Sequence, residues 1–141
     1  MLTLTLILLL FTRVLLAPAL NCLYIPEAEK INPYEAIWEA TCKVESSNNP
    51  LAYHMERNGF ASIGIVQIQS SRIIDFNART GLNFTLVDMY QPNKAKIVFM
   101  HYASENNPND MERISRLWNG GPDGMNKKST LKYYHKILSE L

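Results

Sequence analysis

The segment "NPYEAIWEATCKVES", residues 32 to 46, narrows the choice of fold more than any other part of the chain. Tyr34, Ile37, Trp38, Thr41 and Val44 recur at spacings of three and four, the rhythm of one buried face of an α-helix. Asn32 suits an N-cap, Pro33 suits the first helical position, and Glu35 stands three after the cap, as in a capping box. Glu45 falls on or beside the same stripe, in the last turn. A carboxylate on an apolar face loses hydration, which raises its pKa. A glutamate kept protonated near neutral pH can give a proton to a leaving oxygen. A glutamate that merely ends a helix in solvent cannot be used in that way. Periodicity alone does not choose between them.

The rest of the chain repeats the helical pattern in shorter pieces. Ser70 or Ser71 can cap a helix that runs through Thr80 and stops at Gly81. Pro92 opens another, with Ala95, Ile97, Val98, Met100 and Tyr102 as its apolar side. Asp110 caps a short one carrying Met111, Ile114, Leu117 and Trp118, and Ser129 caps the last, with Leu131, Tyr134, Ile137, Leu138 and Leu141. "NGGPDGMN" is a loop by its Gly and Pro content. Ile63, Ile65 and Val66 to Ile68 are candidates for short extended pieces, interrupted by Gly59 and Gly64. The expected fold class is therefore all-α, about five helices with little strand.

Bulk properties exclude several classes of function. The chain has 141 residues, enough for one domain, and 47% of them are hydrophobic, enough to form a core. A formal charge of +1, with no basic cluster, argues against nucleic acid as a partner. The three histidines and two cysteines show no metal-ligand spacing, so neither metal nor other cofactor is expected. "MLTLTLILLLFTRVLLAPALNC" has an apolar run and a small-x-small site at Ala17-Pro18-Ala19, the layout of a secretory signal peptide. Residues 1–21 are read as that signal, or as a membrane anchor if retained, and residues 22–141 as the folded domain. Export to a periplasmic or extracellular space follows. Cys22 and Cys42 can pair in an oxidising compartment, or Cys42 can serve as a small buried hydrophobe.

Four blocks carry a resemblance. Glu45-Ser46-Ser47-Asn48-Asn49-Pro50-Leu51-Ala52 follows the apolar helix. Gly64-Ile65-Val66-Gln67-Ile68 comes next, then Trp118-Asn119-Gly120-Gly121-Pro122, then Thr130 with Tyr133 three residues on. In this order they resemble the catalytic domain of lytic transglycosylases, the soluble-lytic-transglycosylase branch of the lysozyme-like (goose-type) fold. The family patterns are Glu-Ser-x-x-Asn-Pro-x-Ala, Gly-Leu-Met-Gln-Ile, Tyr-Asn-x-Gly-Pro and Thr-x-x-Tyr. The likeness covers nearly all of the domain after the leader.

The resemblance implies that residues 22–141 form a catalytic domain acting on peptidoglycan glycan strands, as a monomer, with the membrane involved only if the N-terminal segment is retained. It implies that Glu45 is both acid and base in cleaving the β-1,4 bond between N-acetylmuramic acid and N-acetylglucosamine. The muramyl 6-hydroxyl then attacks its own anomeric carbon and leaves a 1,6-anhydro end. An internal nucleophile removes the need for the second carboxylate that most glycosidases use. By the same resemblance Ser46 orients the acid, Gly64 lets backbone approach the sugar, Gln67 bonds sugar or Glu45, Asn119 holds the loop facing the cleft, and Tyr133 lines the cleft near Glu45.

The chain departs from the pattern at several points. His54 stands where a Ser is frequent and can still bond an acetamido group. Gln69 stands for a Met, and Trp118, able to stack on a sugar, stands for a Tyr. Glu56, Arg57 and Asn58 fall in a lengthened connection to the Gly64 block. A hydrolysing lysozyme with Glu56 or Asp88 as second carboxylate is the alternative enzyme. An inactive peptidoglycan-binding module and a purely helical structural protein are the non-enzymatic alternatives.

Overall fold

The computed structural model describes residues 31–56 and 59–141. The signal-peptide reading, Cys22, Arg57 and Asn58 lie outside the described residues. Asn32–Leu141 forms one compact unit. Its elements in chain order are helix α1 (Glu35–Ser46), strands β1 (Tyr53–Met55), β2 (Ala61–Ile63) and β3 (Ile68–Gln69), and helices α2 (Ser70–Thr80), α3 (Pro92–Ala103), α4 (Met111–Gly120) and α5 (Lys128–Leu138). Short 3-10 turns at Val87–Tyr90 and Gly124–Asn126 precede α3 and α5.

Helix α1 starts two residues later than its capping pattern suggests. The Asn32 side-chain oxygen accepts from the Tyr34 N–H (3.1 Å) and its carbonyl from the Glu35 N–H (3.1 Å), so Asn32 caps a lead-in turn. Glu35 turns outward, meeting the Asn32 amide at 3.4 Å and pairing with Lys96 of α3. Ile37, Trp38, Ala40, Thr41 and Cys42 form the buried face of α1. Its end is sharp: Ser47 and Asn48 are both left-handed (φ 54° and 64°), and their N–H groups return to Lys43 and Cys42 carbonyls.

The five helices with little strand agree in outline with the all-α expectation, and what strand there is forms one small sheet. The three strands are antiparallel in the order β1-β2-β3, with Tyr53 opposite Ile63 and Ser62 opposite Gln69. They are only two or three residues long, and every residue of β1 is exposed. Ile63 of β2 and Ile68 of β3 fall among the short extended pieces expected from the sequence, whereas β1 carries neither an alternating pattern nor an apolar run.

The helix stops and starts follow local chemistry. Gly81 ends α2 in the left-handed region (φ 73°), its N–H bonded to the Asn77 carbonyl at 2.9 Å. Asp110 caps α4 by accepting from the Arg113 N–H at 3.0 Å. Ser129 does not cap α5, which begins at Lys128. Thr130 anchors that turn instead, its hydroxyl 2.6 Å from the Gly124 carbonyl and 2.7 Å from that of Lys127. Likewise Gln69, not Ser70 or Ser71, holds the N-cap position of α2.

The core joins α1, α3, α4 and α5. Phe99 of α3 is its pivot, with ring centroids 5.4 Å from Trp38 and 4.9 Å from Trp118. Val98, Ile137, Val66 and Met89 are fully enclosed around it. Each such side chain contributes roughly 1.5–3 kcal/mol on burial. No helix among the described residues is long and apolar enough to cross a membrane.

Candidate functional site

A cleft of about 770 Å³ opens over the last turn of α1. The sheet supplies Ser62 and Gln69 to its wall, Glu56 joins them from just past β1, α2 supplies Arg72, Asp75 and Arg79, and α3 supplies Phe99 and Tyr102. Trp118 and Asn119 of α4 and the Gly121-Pro122 loop close another side. Glu45 lines this cleft, half-buried at the end of α1.

Glu45 is held in a state suited to proton exchange. Loss of hydration raises its pKa to about 7, and the negative charge of Glu56 pushes the same way. The Tyr133 hydroxyl donates to Glu45 Oε1 at 2.7 Å and, with Arg72, opposes that rise. A carboxyl poised near neutrality can both give and take a proton at working pH. Tyr133 is buried beneath the acid, rather than forming the open wall of the cleft. Replacing Tyr133 with phenylalanine removes a bond that favours the ionised form. The Glu45 pKa should then rise, and the alkaline limb of any Glu45-dependent activity should move up by roughly 0.5–1 pH. A pH–rate profile of the variant checks this; a downward move contradicts the assignment.

The residues around Glu45 divide into those that face the cleft and those that build its rim. Gln67 and Asn119 line the cleft with Glu45, whereas Trp118, expected to stack on a sugar, is buried with its ring packed between Phe99 and Arg72. Gln67 sits in the left-handed region (φ 50°), a strained place for a side chain of this size. Its amide Nε2 and its backbone N–H both donate to the Gly64 carbonyl, at 3.0 and 3.1 Å. Ser46 fixes the same turn from the other side. Its hydroxyl lies 2.8 Å from the Ile65 carbonyl and accepts from the Asn49 N–H at 3.0 Å. Ser46 thus clamps the end of α1 to the Gly64–Gln67 turn, and it is the turn, not the acid, that it touches.

Two expected residues stand elsewhere. Gly64 is buried with φ 78°, and a Cβ there would lie 2.0 Å from the Met89 carbonyl oxygen. Its close approach is therefore to the chain's own backbone and not to a sugar. The His54 side chain is 66% exposed on β1, 3.9 Å from Glu56, and is not on the cleft wall. Asp88 is also remote in function: Lys94 and the N–H and hydroxyl of Thr85 hold its carboxyl at about 2, within the turn before α3.

Sequence reading passed over Arg72. Its guanidinium lies 4.2 Å from the Trp118 ring centroid and 4.9 Å from that of Tyr102, and Nη2 donates to the Trp118 carbonyl at 2.7 Å. A signal existed. Arg72 stands four residues before buried Phe76 and beside buried Ile73, so it falls on the inward stripe of α2. Among the described residues, no group of three or more His, Cys, Asp or Glu side chains is placed to hold a metal ion.

No protein-family model matches the chain, and no curated protein matches it. Among solved structures it is similar to the lysozyme of Tapes japonica, at a TM-score of 0.58 and 24% identity, over 73% of this chain and 86% of that one. The fold is lysozyme-like. Helices with a small antiparallel sheet at the mouth of a cleft are the form it takes here.

Proposed function

We propose that this protein cleaves the β-1,4 bond between N-acetylmuramic acid and N-acetylglucosamine in peptidoglycan, as an exported lytic transglycosylase. The observation that carries the reading is Glu45: a cleft carboxyl raised to about 7 and bonded by a buried tyrosine, at the head of the Glu-Ser block. Protonated Glu45 gives its proton to the glycosidic oxygen as the bond to the anomeric carbon breaks. The muramyl 6-hydroxyl closes on that carbon, and its proton returns to Glu45. Gln67 and Asn119 hold the strand by their amides.

One observation favours a second reading, hydrolysis. Glu56 lines the same cleft from the sheet side, with Ser62 Oγ donating to it at 2.9 Å. A second carboxylate could direct water to the anomeric carbon or stabilise the charge that develops there. The masses of the cleavage products separate the two. Transglycosylation leaves ends lighter by one water than hydrolysis does, and Glu56→Gln should then keep most of its activity, within about fivefold, against the ~10²-fold scale of a lost acid or base. Reducing ends, with activity abolished in Glu56→Gln, would establish the lysozyme reaction instead.

A further inference from the structure

Arg72 is a cation on the cleft wall with no anion of its own. Among the described residues, none forms an ion pair with it. The acidic groups near it are engaged by another residue. Arg79 takes Asp75 at 2.8 Å and Glu105 at 3.0 Å, and the Tyr102 hydroxyl also donates to Asp75 at 2.7 Å. Asp75 and Glu45 act on Arg72 only at longer range. Glu45 moreover carries no charge in the protonated form that a general acid requires. Arg72 is left with two aromatic rings and one carbonyl, which occupies a single N–H of the five a guanidinium carries. Partly desolvated charge without a partner is costly, and the rings recover only part of that cost. They do fix the plane of the group, which prepares its fork for a planar anion.

From this geometry we infer that Arg72 is a specificity residue that binds a carboxylate borne by the substrate strand beside the bond to be cleaved. The inference rests on the peptidoglycan reading above and adds the group that is recognised. A muramyl residue carries a lactyl group on the same ring as its anomeric carbon. Its carboxylate is free where the strand lacks peptide; otherwise the peptide attached to it supplies carboxylates a few bonds away. Both present the same planar anion to the guanidinium, and a bidentate pair with it would be strong and directional. A strand made only of N-acetylglucosamine presents none.

The test measures binding by calorimetry on the full chain carrying Glu45→Gln, which prevents turnover. The ligands are a muramyl tetrasaccharide with free lactyl carboxylates, the same sugar with lactyl amides, the same sugar capped by a short acidic peptide, and a tetrasaccharide of N-acetylglucosamine. The free carboxylate or the peptide-capped sugar should bind at least about tenfold more tightly than the amide. Which of the two does so identifies the source of the anion. Adding Arg72→Gln should abolish the difference while leaving binding of the neutral ligands within about twofold. Arg72→Lys, which keeps the charge and endangers the fold less, should retain only part of the preference, because a lysine offers no fork. Equal binding of carboxylate and amide to the Arg72-bearing chain would overturn the inference. So would a preference that persists in Arg72→Gln, or an absence of binding by every sugar. Cleavage of peptidoglycan by the unaltered chain is assayed separately, and its failure would count against the proposed reaction instead.

Discussion

Replacing Glu45 with glutamine is expected to lower cleavage of peptidoglycan by at least ~10²-fold, the scale of a lost general acid and base. Glutamine keeps the shape, and its amide oxygen can still accept from Tyr133. What it lacks is a proton that can be transferred. Binding of glycan should therefore survive while turnover fails, and undiminished cleavage would remove both enzymatic readings at once. The same variant has a second signature, in stability. The Glu45 pKa rises from 4.5 to about 7 in the folded chain. Between those values the folded protein holds a proton that the unfolded chain has released, so stability falls as pH rises through that window. Glu45→Gln removes this dependence and should stabilise the protein by on the order of 1–3 kcal/mol above pH 7, as urea titrations at pH 4 and pH 8 would show. An activity loss coupled with a gain in stability is what a residue kept for chemistry would give. A structural glutamate would lose stability on replacement.

Much of the fold is legible in the sequence because its helices carry their own signals. The stripe from Ile37 to Thr41, the proline at the start of α3, Asp110 before α4 and Gly81 after α2 each encode local structure within a few residues. The sheet is legible only in part: Ile63 and Ile68 mark β2 and β3 as short extended pieces, but nothing marks β1 or the pairing. Three residues of exposed β1 and two of β3 are too few to show a period, and their pairing is fixed by partners across the hairpin. The site divides along similar lines. Glu45, Gln67 and Asn119 could be proposed together only because sequence blocks tied them, and the fold does bring them to one cleft. Tyr133 lies 88 residues from Glu45, so nothing local announces their hydrogen bond. His54 shows the opposite failure: its place just past the Glu45–Ala52 block, where a Ser is frequent, suggested a cleft residue, yet on strand β1 its side chain is exposed. Arg72 carries little signal because arginines are mostly exposed, although helical spacing sets it beside Ile73 and Phe76.

Gly64→Ala is expected to be the most damaging small substitution near the site. At φ 78° an alanine is already in a backbone region that costs it about 1 kcal/mol. The new methyl would also sit 2.0 Å from the Met89 carbonyl oxygen and 2.9 Å from its carbon, and backbone cannot swing aside as a side chain can. Met89 is itself fully buried, in the turn before α3, so relief on that side would disturb the core. The combined loss should be at least about 3 kcal/mol, or a fall in Tm of roughly 10–20 °C for a domain of this size. Gly81→Ala is the matched control. It has a similar φ of 73° but no atom within 4 Å of the added carbon, so it should lose only about 1 kcal/mol. Equal losses at the two positions would mean that backbone conformation, and not contact with Met89, is what demands glycine at residue 64. The consequence for the cleft follows from the hydrogen bonds. The Gly64 carbonyl accepts twice from Gln67, and the next carbonyl, that of Ile65, is tied to Ser46 beside the acid. A displaced Gly64 thus moves Gln67 and the end of α1 together, and folded Gly64→Ala protein should bind glycan more weakly even at temperatures where it remains intact.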